Sequence, residues 1–200
     1  MKIVILGPDG AGKSSVIHEV MDKLNRGDRV VKMRHLKPRL AFPQHVVPGA
    51  IVIDPHSKPP RSALTSLAKI FVWLMEEWYV NLLQDKKETL LICDRYYHDL
   101  LVDPKRYRYG GPRWAARMIG ALMPRPDLWM LLDAPTEVLR ERKQEVPPEE
   151  TTRQRQAYLA FVRSQRNHVI IDASQSLHKV ISDVENAITG ALIEDVGKRG

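Results

Sequence analysis

The stretch Gly7-Pro8-Asp9-Gly10-Ala11-Gly12-Lys13-Ser14 directly follows the apolar run Ile3-Val4-Ile5-Leu6. Glycines at this spacing let consecutive backbone N–H groups converge on phosphate oxygens, while the lysine reaches the β- and γ-phosphates and the serine hydroxyl binds Mg²⁺. A helix that begins near Gly12 adds the positive end of its dipole. An ordinary glycine-rich turn would not need a lysine-serine pair at this offset. The stretch therefore predicts a phosphate-binding loop for ATP or GTP, with nucleotide contacts from Gly7, Asp9, Gly10, Ala11, Gly12, Lys13, Ser14 and Ser15.

Short apolar runs and helical periods alternate along the chain, which is typical of a parallel sheet with helices on both faces. The expected strands are Lys2–Leu6, Val30–Arg34, Thr89–Cys93, Leu128–Leu132 and His168–Ile171. The expected helices are Gly12–Asn25, Arg61–Asp85, Pro112–Leu122, Thr136–Gln144, Glu149–Arg166 and Leu177–Glu194. Two hundred residues suit one folded unit, so we expect a single α/β domain over residues 1–200.

Residues 34–61 break this alternation, because six prolines fall in a stretch with little helical period. Long loops of this kind in compact domains are usually functional or disordered. The end of the stretch, from Asp54 to Arg61, sets polar groups in a stiff backbone. We favour an acceptor-binding loop over a plain connection, with Arg39, His56 and Arg61 as its candidate contacts.

The overall composition is that of a folded globular protein, with 44% apolar and 28% charged residues. The longest apolar runs have the length of strands, so no segment is expected to span a membrane. The apolar run after Met1 and Lys2 is too short for a secretory signal. We therefore expect a cytoplasmic protein without membrane contact. The single cysteine, Cys93, cannot form an internal disulfide and suits a buried strand position.

The net charge of +7 invites a nucleic-acid partner. However, many arginines cluster at residues 106–117 and 140–155, where a phosphoryl-transfer site would use them to capture anionic substrates. No recognition motif for nucleic acid accompanies them. The pattern favours an anionic small molecule over nucleic acid.

The third expected strand ends in a carboxylate beside a guanidinium, Asp94-Arg95. Ligands of open α/β sheets bind outside the carboxyl ends of the strands, so Asp94 should face the phosphate-binding loop. A carboxylate there can hold Mg²⁺ or orient the acceptor, and Arg95 can bridge the acceptor and the transferred phosphoryl group. A structural ion pair at a strand end is the competing interpretation.

Two further polar segments are candidates for function. Tyr107-Arg108-Tyr109-Gly110-Gly111-Pro112-Arg113-Trp114 interleaves cations and rings that could hold a base, a sugar or a phosphate, or could simply form a turn before a helix. Residues 143–155 are polar, contain Pro147-Pro148, and are interpreted as a basic lid that would exclude water and supply positive charge. Asp133 is expected to cap the helix that follows it. His35 and His98 lack metal-ligand spacing and are interpreted as ordinary hydrogen-bonding histidines.

These residues together resemble the thymidylate kinase family of P-loop nucleoside monophosphate kinases, over most of the chain outside residues 34–61. The similarity includes the phosphate-binding loop with its acidic Asp9, the Asp94-Arg95-Tyr96 motif, and Arg125-Pro126-Asp127 leading into Leu131-Leu132-Asp133-Ala134-Pro135. It continues in Arg155, Tyr158 and Val169-Ile170-Ile171-Asp172-Ala173. The resemblance implies a three-layer P-loop kinase fold with a five-stranded parallel sheet, a cytoplasmic kinase that uses ATP and Mg²⁺, and a dimer face on the helix from Arg61.

The resemblance also implies roles for individual residues. Asp9 would contact the sugar of the acceptor, Asp94 would lie near the metal with Ser14, and Arg95 would lie on the phosphates, while Arg142 would lie beside the adenine. Because Gly10 stands where some members of the family carry a catalytic arginine, the lid must supply that cation, and the candidates are Arg142, Lys143 and Arg153.

The acceptor residues depart from the pattern of the family. Glu76, Glu77 and Trp78 stand where an arginine is usual, Asp99 replaces a serine, and His35-Leu36-Lys37-Pro38-Arg39 replaces an arginine-proline-glycine turn. A desolvated carboxylate is unfavourable beside an acceptor phosphate. The candidate acceptor contacts are Asp9, Arg39, His56, Arg61, Trp78, Arg95, Tyr96, Asp99, Arg108 and Tyr109.

The sequence thus predicts a P-loop kinase with catalytic Lys13, Asp94, Arg95, Arg142 and Arg153 and with metal ligands Ser14 and Asp94. The identity of the acceptor stays open among four classes: a nucleoside monophosphate, a nucleoside, a sugar and a sugar phosphate. Two other classes stay open, a nucleic-acid-binding ATPase and a nucleotide-binding regulator that transfers nothing.

Overall fold

The structure is a computed structural model that describes residues 1–24, 30–36, 59–83 and 89–197 of the 200-residue chain. Its strands are β1 (Lys2–Leu6), β2 (Val30–His35), β3 (Thr89–Asp94), β4 (Leu128–Asp133) and β5 (His168–Asp172). Its helices are α1 (Lys13–Leu24), α2 (Ala63–Leu83), α3 (Asp99–Val102), α4 (Arg113–Leu122), α5 (Thr136–Arg142), α6 (Pro148–Arg163) and α7 (Leu177–Gly197). No helix within these residues is long and apolar enough to cross a bilayer.

The residues group into two compact units, which we call the sheet unit and the helical unit. The sheet unit comprises Met1–His35, Asp85–Tyr96 and Pro126–Gly200. The helical unit comprises Leu36–Gln84 and Tyr97–Arg125, and it contains α2, α3 and α4.

All strand pairs of the sheet unit are parallel, in the order β2-β3-β1-β4-β5. The central strands consist mainly of apolar residues because both of their faces are covered. In the register of β1 with β3, Ile5 lies beside Asp94. The carboxyl end of β3 is therefore adjacent to the loop that leaves β1, as expected of a ligand site in an open parallel sheet.

Side chains alternate between the two faces of the sheet, and each face packs against its own helices. Ile3 and Ile5 lie in one core with residues of α1 and α7 such as Val16 and Val184. On the other face, the ring of Trp129 makes an edge contact with Phe161 of α6, at 5.0 Å between centroids. The predicted three-layer α/β arrangement with five parallel strands is confirmed.

The strands β2 to β5 each run one residue further than predicted, and the added residues are polar: His35, Asp94, Asp133 and Asp172. These residues pair in the parallel ladder even though their side chains are typical of strand ends. The short helix α3 was not predicted, because four residues are too few to show a helical period. Most of the proline-rich segment lies outside the described residues.

Replacing Leu132 with alanine should destabilise the protein strongly, because its side chain is fully buried in the core of β1, α1 and α7. We expect a loss of about 2–5 kcal/mol in the free energy of unfolding. The matched variant Leu177→Ala, at a position that is 48% exposed, should lose less than about 1 kcal/mol. Chemical denaturation of both variants checks this, and equal losses would contradict the assigned core.

Candidate active site

The loop from Gly7 to Ser14 packs its backbone tightly against β4 and α5. A Cβ atom on Gly7 would lie 2.6 Å from the carbonyl oxygen of Leu132, and one on Gly10 would collide with the carbonyl of Leu139. Gly10 also has a φ of +86°, which residues with a side chain rarely adopt. Both glycines are therefore required by the shape of the loop.

Lys13, the first residue of α1, points its side chain back into this loop. Its Nζ atom donates hydrogen bonds to the carbonyl oxygens of Gly7 at 2.7 Å and Pro8 at 2.8 Å, and the residue is buried. Ser14 and Ser15 follow in the first turn of the helix and are exposed. The ammonium group and the N-terminal end of α1 thus place positive charge at one point, as binding of a phosphate requires.

Asp94 is a buried carboxylate at the end of β3, and His35 of the neighbouring strand lies beside it. The Nδ1 atom of His35 is 2.8 Å from Oδ2 of Asp94, whereas Oδ1 is buried and has no hydrogen-bond partner among the described residues. Burial alone would raise the pKa of Asp94, but His35, Lys13 and Arg95 together outweigh it and hold that pKa below its usual value. Asp94 is therefore ionised at neutral pH, with one oxygen available to a ligand.

Arg95 adopts a left-handed backbone conformation, with a φ of 67°. This conformation is costly for a long side chain and is often found at functional sites. Its guanidinium donates hydrogen bonds to Oδ1 of Asp9 at 2.8 Å and to the hydroxyl of Tyr158 at 3.3 Å. Arg95 is thus held beside the phosphate-binding loop from two sides.

Tyr96, predicted as an acceptor contact, lies in the core instead. It is 1% exposed, its ring contacts Trp129 edge-on, and its hydroxyl accepts a hydrogen bond from Lys2. The ring thus lies in the interior just after the end of β3, and a role in binding an acceptor gains no support from this placement.

The expected capping role of Asp133 is wrong. Helix α5 has Pro135 at its N-cap and no side-chain capping bond. Both carboxylate oxygens of Asp133 instead accept hydrogen bonds from Arg155 of α6, at 2.8 and 2.9 Å. This bidentate bond raises the pKa of Arg155 and ties α6 to the carboxyl end of β4.

The predicted lid of residues 143–155 consists of a short connection followed by the first half of α6. Arg142 donates a hydrogen bond to the carbonyl of Ala173 at 2.7 Å, which places it at the end of β5. Arg153 forms a bidentate bond with Glu150 on its own helix. The two arginines thus have partners at the end of β5 and on α6, and their catalytic role stays a prediction.

The helical unit contains a second set of predicted residues, which centres on Tyr107. Its hydroxyl donates a 2.6 Å hydrogen bond to Asp99, which is fully buried. Asp99 is therefore an internal partner of a tyrosine, and the contact of its carboxylate with an acceptor stays a prediction. Lys69 donates to the carbonyl of Tyr107 at 3.0 Å and lies over the ring of Trp73, with 5.0 Å between Nζ and the ring centroid.

The other predicted acceptor contacts of the helical unit have structural partners. The backbone N–H of Arg61 and the carbonyl of Arg108 are joined at 2.9 Å, and the hydroxyl of Tyr109 donates to the carbonyl of Pro112. Trp78 is partly exposed and donates from Nε1 to the carbonyl of Leu122 at 3.1 Å.

Burial, together with the positive charges of Arg61 and Arg108, lowers the pKa of Lys69 to about 8. Arg39 and His56 lie outside the described residues.

The known proteins that resemble this chain are thymidylate kinases. No protein-family model matches the chain. It is 26% identical to the probable thymidylate kinase of Methanosphaera stadtmanae over 94% of this chain and 97% of the relative. It is 24% identical to the thymidylate kinase of Chlamydia pneumoniae, over 92% and 95% of the two chains, and 28% identical to that of Vibrio vulnificus, over 93% of each.

The chain is thus similar to thymidylate kinases at low identity over more than nine-tenths of its length, as expected of a divergent relative. These similarities confirm the predicted resemblance and the P-loop kinase fold, and they support a phosphotransferase that uses ATP with Mg²⁺. Because the relatives match over nearly their whole lengths, the similarity extends beyond the phosphate-binding loop to both units.

Sequence reasoning missed three partners in the site of this thymidylate kinase-like protein. His35 was treated as an ordinary histidine, the hydroxyl of Tyr158 was not paired with Arg95, and Asp133 was not paired with Arg155. The residues of each pair lie between 22 and 63 positions apart in the chain. The pair of His35 and Asp94 follows from the position of β2 beside β3, and the sequence does not reveal this strand order.

Replacing Lys13 with methionine should abolish turnover and weaken the binding of ATP, because the ammonium is the charge held inside the loop. We expect a fall of about 10²-fold or more in kcat. The matched variant Lys23→Met, in the exposed last turn of the same helix, should retain activity. Steady-state kinetics and nucleotide titration check this, and a Lys13→Met protein with wild-type kcat would contradict the assigned role.

Proposed function

We propose that this protein transfers the γ-phosphoryl group of ATP to a nucleoside monophosphate, with thymidylate as the first candidate. The main support for the proposal is that Lys13, Asp94 and Arg95 lie close together near the carboxyl ends of the adjacent strands β1 and β3. Phosphoryl transfer needs positioning and positive charge more than covalent catalysis, and this arrangement supplies both. The names of the relatives support the acceptor.

The residues of the sheet unit divide the work in this proposal. Lys13 and the backbone N–H groups of the loop hold the β- and γ-phosphates, and Arg95 balances the charge of the transferred group. The free Oδ1 of Asp94 and the exposed hydroxyl of Ser14 are oxygen donors of the kind that Mg²⁺ binds, together with phosphate oxygens. When bound, Mg²⁺ neutralises developing charge on the phosphates. Groups of three or more metal-binding side chains are absent from the described residues, which fits a metal held partly by substrate.

The lid arginines remain part of the proposal. Arg142 would lie along the base of ATP, and Arg153 would have to leave Glu150 to reach a phosphate. Such an exchange is feasible because that ion pair is exposed, and exposed pairs contribute only about 0–1 kcal/mol.

The charge distribution of the helical unit supports an anionic acceptor. Its four described acidic residues are all buried: Glu76, Glu77, Asp99 and Asp103. Its eight described basic residues are exposed or half-exposed: Arg61, Lys69, Lys105, Arg106, Arg108, Arg113, Arg117 and Arg125. The surface of this unit is therefore cationic and suited to attract a phosphate-bearing substrate. A desolvated carboxylate is unfavourable beside an acceptor phosphate, but Asp99 is fully buried and accepts a hydrogen bond from Tyr107, so it does not count against a nucleoside monophosphate.

A screen of acceptors by ADP release should show turnover with nucleoside monophosphates and little with nucleosides, sugars or sugar phosphates. For the best acceptor, kcat/KM should fall roughly tenfold at high salt, because screening removes the attraction of the cationic surface. Turnover of neutral nucleosides or sugars with no salt dependence would refute the proposed acceptor class. Tight, salt-sensitive binding of oligonucleotides without turnover of any acceptor would instead support a nucleic-acid-binding protein.

We also propose that two copies of the chain associate through an apolar face of the helical unit. Every exposed residue of α2 is apolar: Ala63, Leu64, Ala68, Phe71, Met75, Trp78, Tyr79, Leu82 and Leu83. Exposed Trp114, Met118 and Leu122 of α4 extend this face, and Trp78 is bonded to α4. A contiguous apolar surface of this kind marks an association site. The predicted cytoplasmic location and the single kinase domain remain predictions.

The wild-type protein should sediment at about twice the chain mass of 22.9 kDa. Met75→Glu should shift it to the monomer, because a charge would be buried in the apolar contact. Ile193→Glu, at an exposed apolar position of α7 in the sheet unit, should leave the dimer intact. A monomeric wild-type protein, or dissociation by both variants, would exclude this face as the interface.

A further inference from the structure

His35 occupies a defined place beside Asp94. It is the last residue of β2, and it is the register partner of Asp94, the last residue of β3. Two parallel strands that end at the same level thus place both side chains at the carboxyl edge of the sheet, where ligands of this architecture bind. The distance of 2.8 Å between Nδ1 and Oδ2 is that of a hydrogen bond between charged or polar groups.

The direction of this hydrogen bond follows from the charge of Asp94. A carboxylate only accepts hydrogen bonds, and at 2.8 Å the imidazole of His35 is the partner that can supply the hydrogen. His35 must therefore carry a proton on Nδ1 and donate it. The bond engages Oδ2 and leaves Oδ1 as the oxygen without a hydrogen-bond partner in the described part of the chain.

We propose that His35 is a positioning residue of the phosphoryl-transfer site, which holds Oδ2 of Asp94 so that Oδ1 faces Mg²⁺ or its bound water. This inference rests on the proposed function and assigns a role to a residue outside its catalytic set. The carboxylate of an aspartate can rotate about its Cβ–Cγ bond and present either oxygen to a ligand. A hydrogen bond to one oxygen leaves the other oxygen for the ligand. Partners of this kind typically contribute 10–100-fold to metal affinity or activity.

A purely structural role for His35 is a poorer explanation of its surroundings. The pairing of β2 with β3 already continues along Val30–His35 through backbone hydrogen bonds. The His35 side chain is 44% exposed, whereas that of Asp94 is 7% exposed. A half-exposed imidazole could be hydrated instead, so its bond to Asp94 matters more to the buried carboxylate than to the fold.

Two variants of His35 separate positioning from packing. His35→Leu removes the donor, whereas His35→Asn keeps an N–H donor one bond from Cγ, as in Nδ1 of histidine. His18→Leu, at an exposed histidine of α1, is the matched control. The measurements are kcat and KM with ATP and the best nucleoside monophosphate, the affinity for Mn²⁺ in the presence of ADP by electron paramagnetic resonance, and the melting temperature.

For His35→Leu we expect kcat to fall roughly 10- to 100-fold and Mn²⁺ to bind about tenfold more weakly, with little change in KM for the acceptor. His35→Asn should recover most of both losses, and His18→Leu should match the wild type. Unchanged kcat and Mn²⁺ affinity in His35→Leu would overturn the inference. The inference would also be overturned if both variants lost the same kcat and Mn²⁺ affinity and if these losses were explained by an equal fall in melting temperature.

These outcomes are distinct from a failure of the proposed function. If the wild type transfers no phosphoryl group to any nucleoside monophosphate, the proposed function fails, and the Mn²⁺ titration in ADP still decides the role of His35.

Discussion

The parallel pairing of β1 with β3 is the constraint on which the site depends. Because Ile5 lies beside Asp94, the carboxylate emerges next to the phosphate-binding loop, which begins two residues later. The same pairing extends to a hydrogen bond from the backbone N–H of Arg95 to the carbonyl of Ile5 at 3.1 Å. A slip of one residue would turn Asp94 to the other face of the sheet and separate it from Lys13.

This pairing buries negative charge, and the site is stable because donors surround each carboxylate. Asp94 has His35 at hydrogen-bond distance and the charges of Lys13 and Arg95 nearby, and Asp9 is bonded to Arg95. Two carboxylates and their cations are thus linked through Arg95, which adopts a strained backbone conformation to reach Asp9. Removing one member would leave an uncompensated buried charge, which is more costly than removing a neutral contact. The cluster is therefore expected to behave as a unit, with non-additive effects of substitution.

The sequence predicted those parts of the molecule that local patterns determine. The loop from Gly7 to Ser14 and the strand ending at Asp94 were predictable because apolar runs and phosphate-binding spacing lie within about ten residues. The partners His35 and Tyr158 were not, because each depends on a pairing of elements that are distant in the chain. The contact of the Tyr96 ring with Trp129 was not predictable for a related reason, since the two residues belong to segments that are distant in the chain. The role of the segment between Arg34 and Arg61 stays a prediction.

Helix α2 shows the limit of pattern reasoning most clearly. Its aromatic residues at three- and four-residue steps predict a core face, yet Phe71, Trp78 and Leu82 are exposed, and Glu76 and Glu77 are buried. Hydrophobic periodicity indicates that one face of a helix is covered, but it does not distinguish cover by the same chain from cover by another. Helix α2 buries Ile70 and Trp73 on one side and exposes a second set of apolar residues on the other, which is the reason for proposing a partner. The burial of Glu76 and Glu77 also removes negative charge from the surface of the helical unit, so the arrangement of α2 supports both the proposed association and the proposed capture of an anionic acceptor.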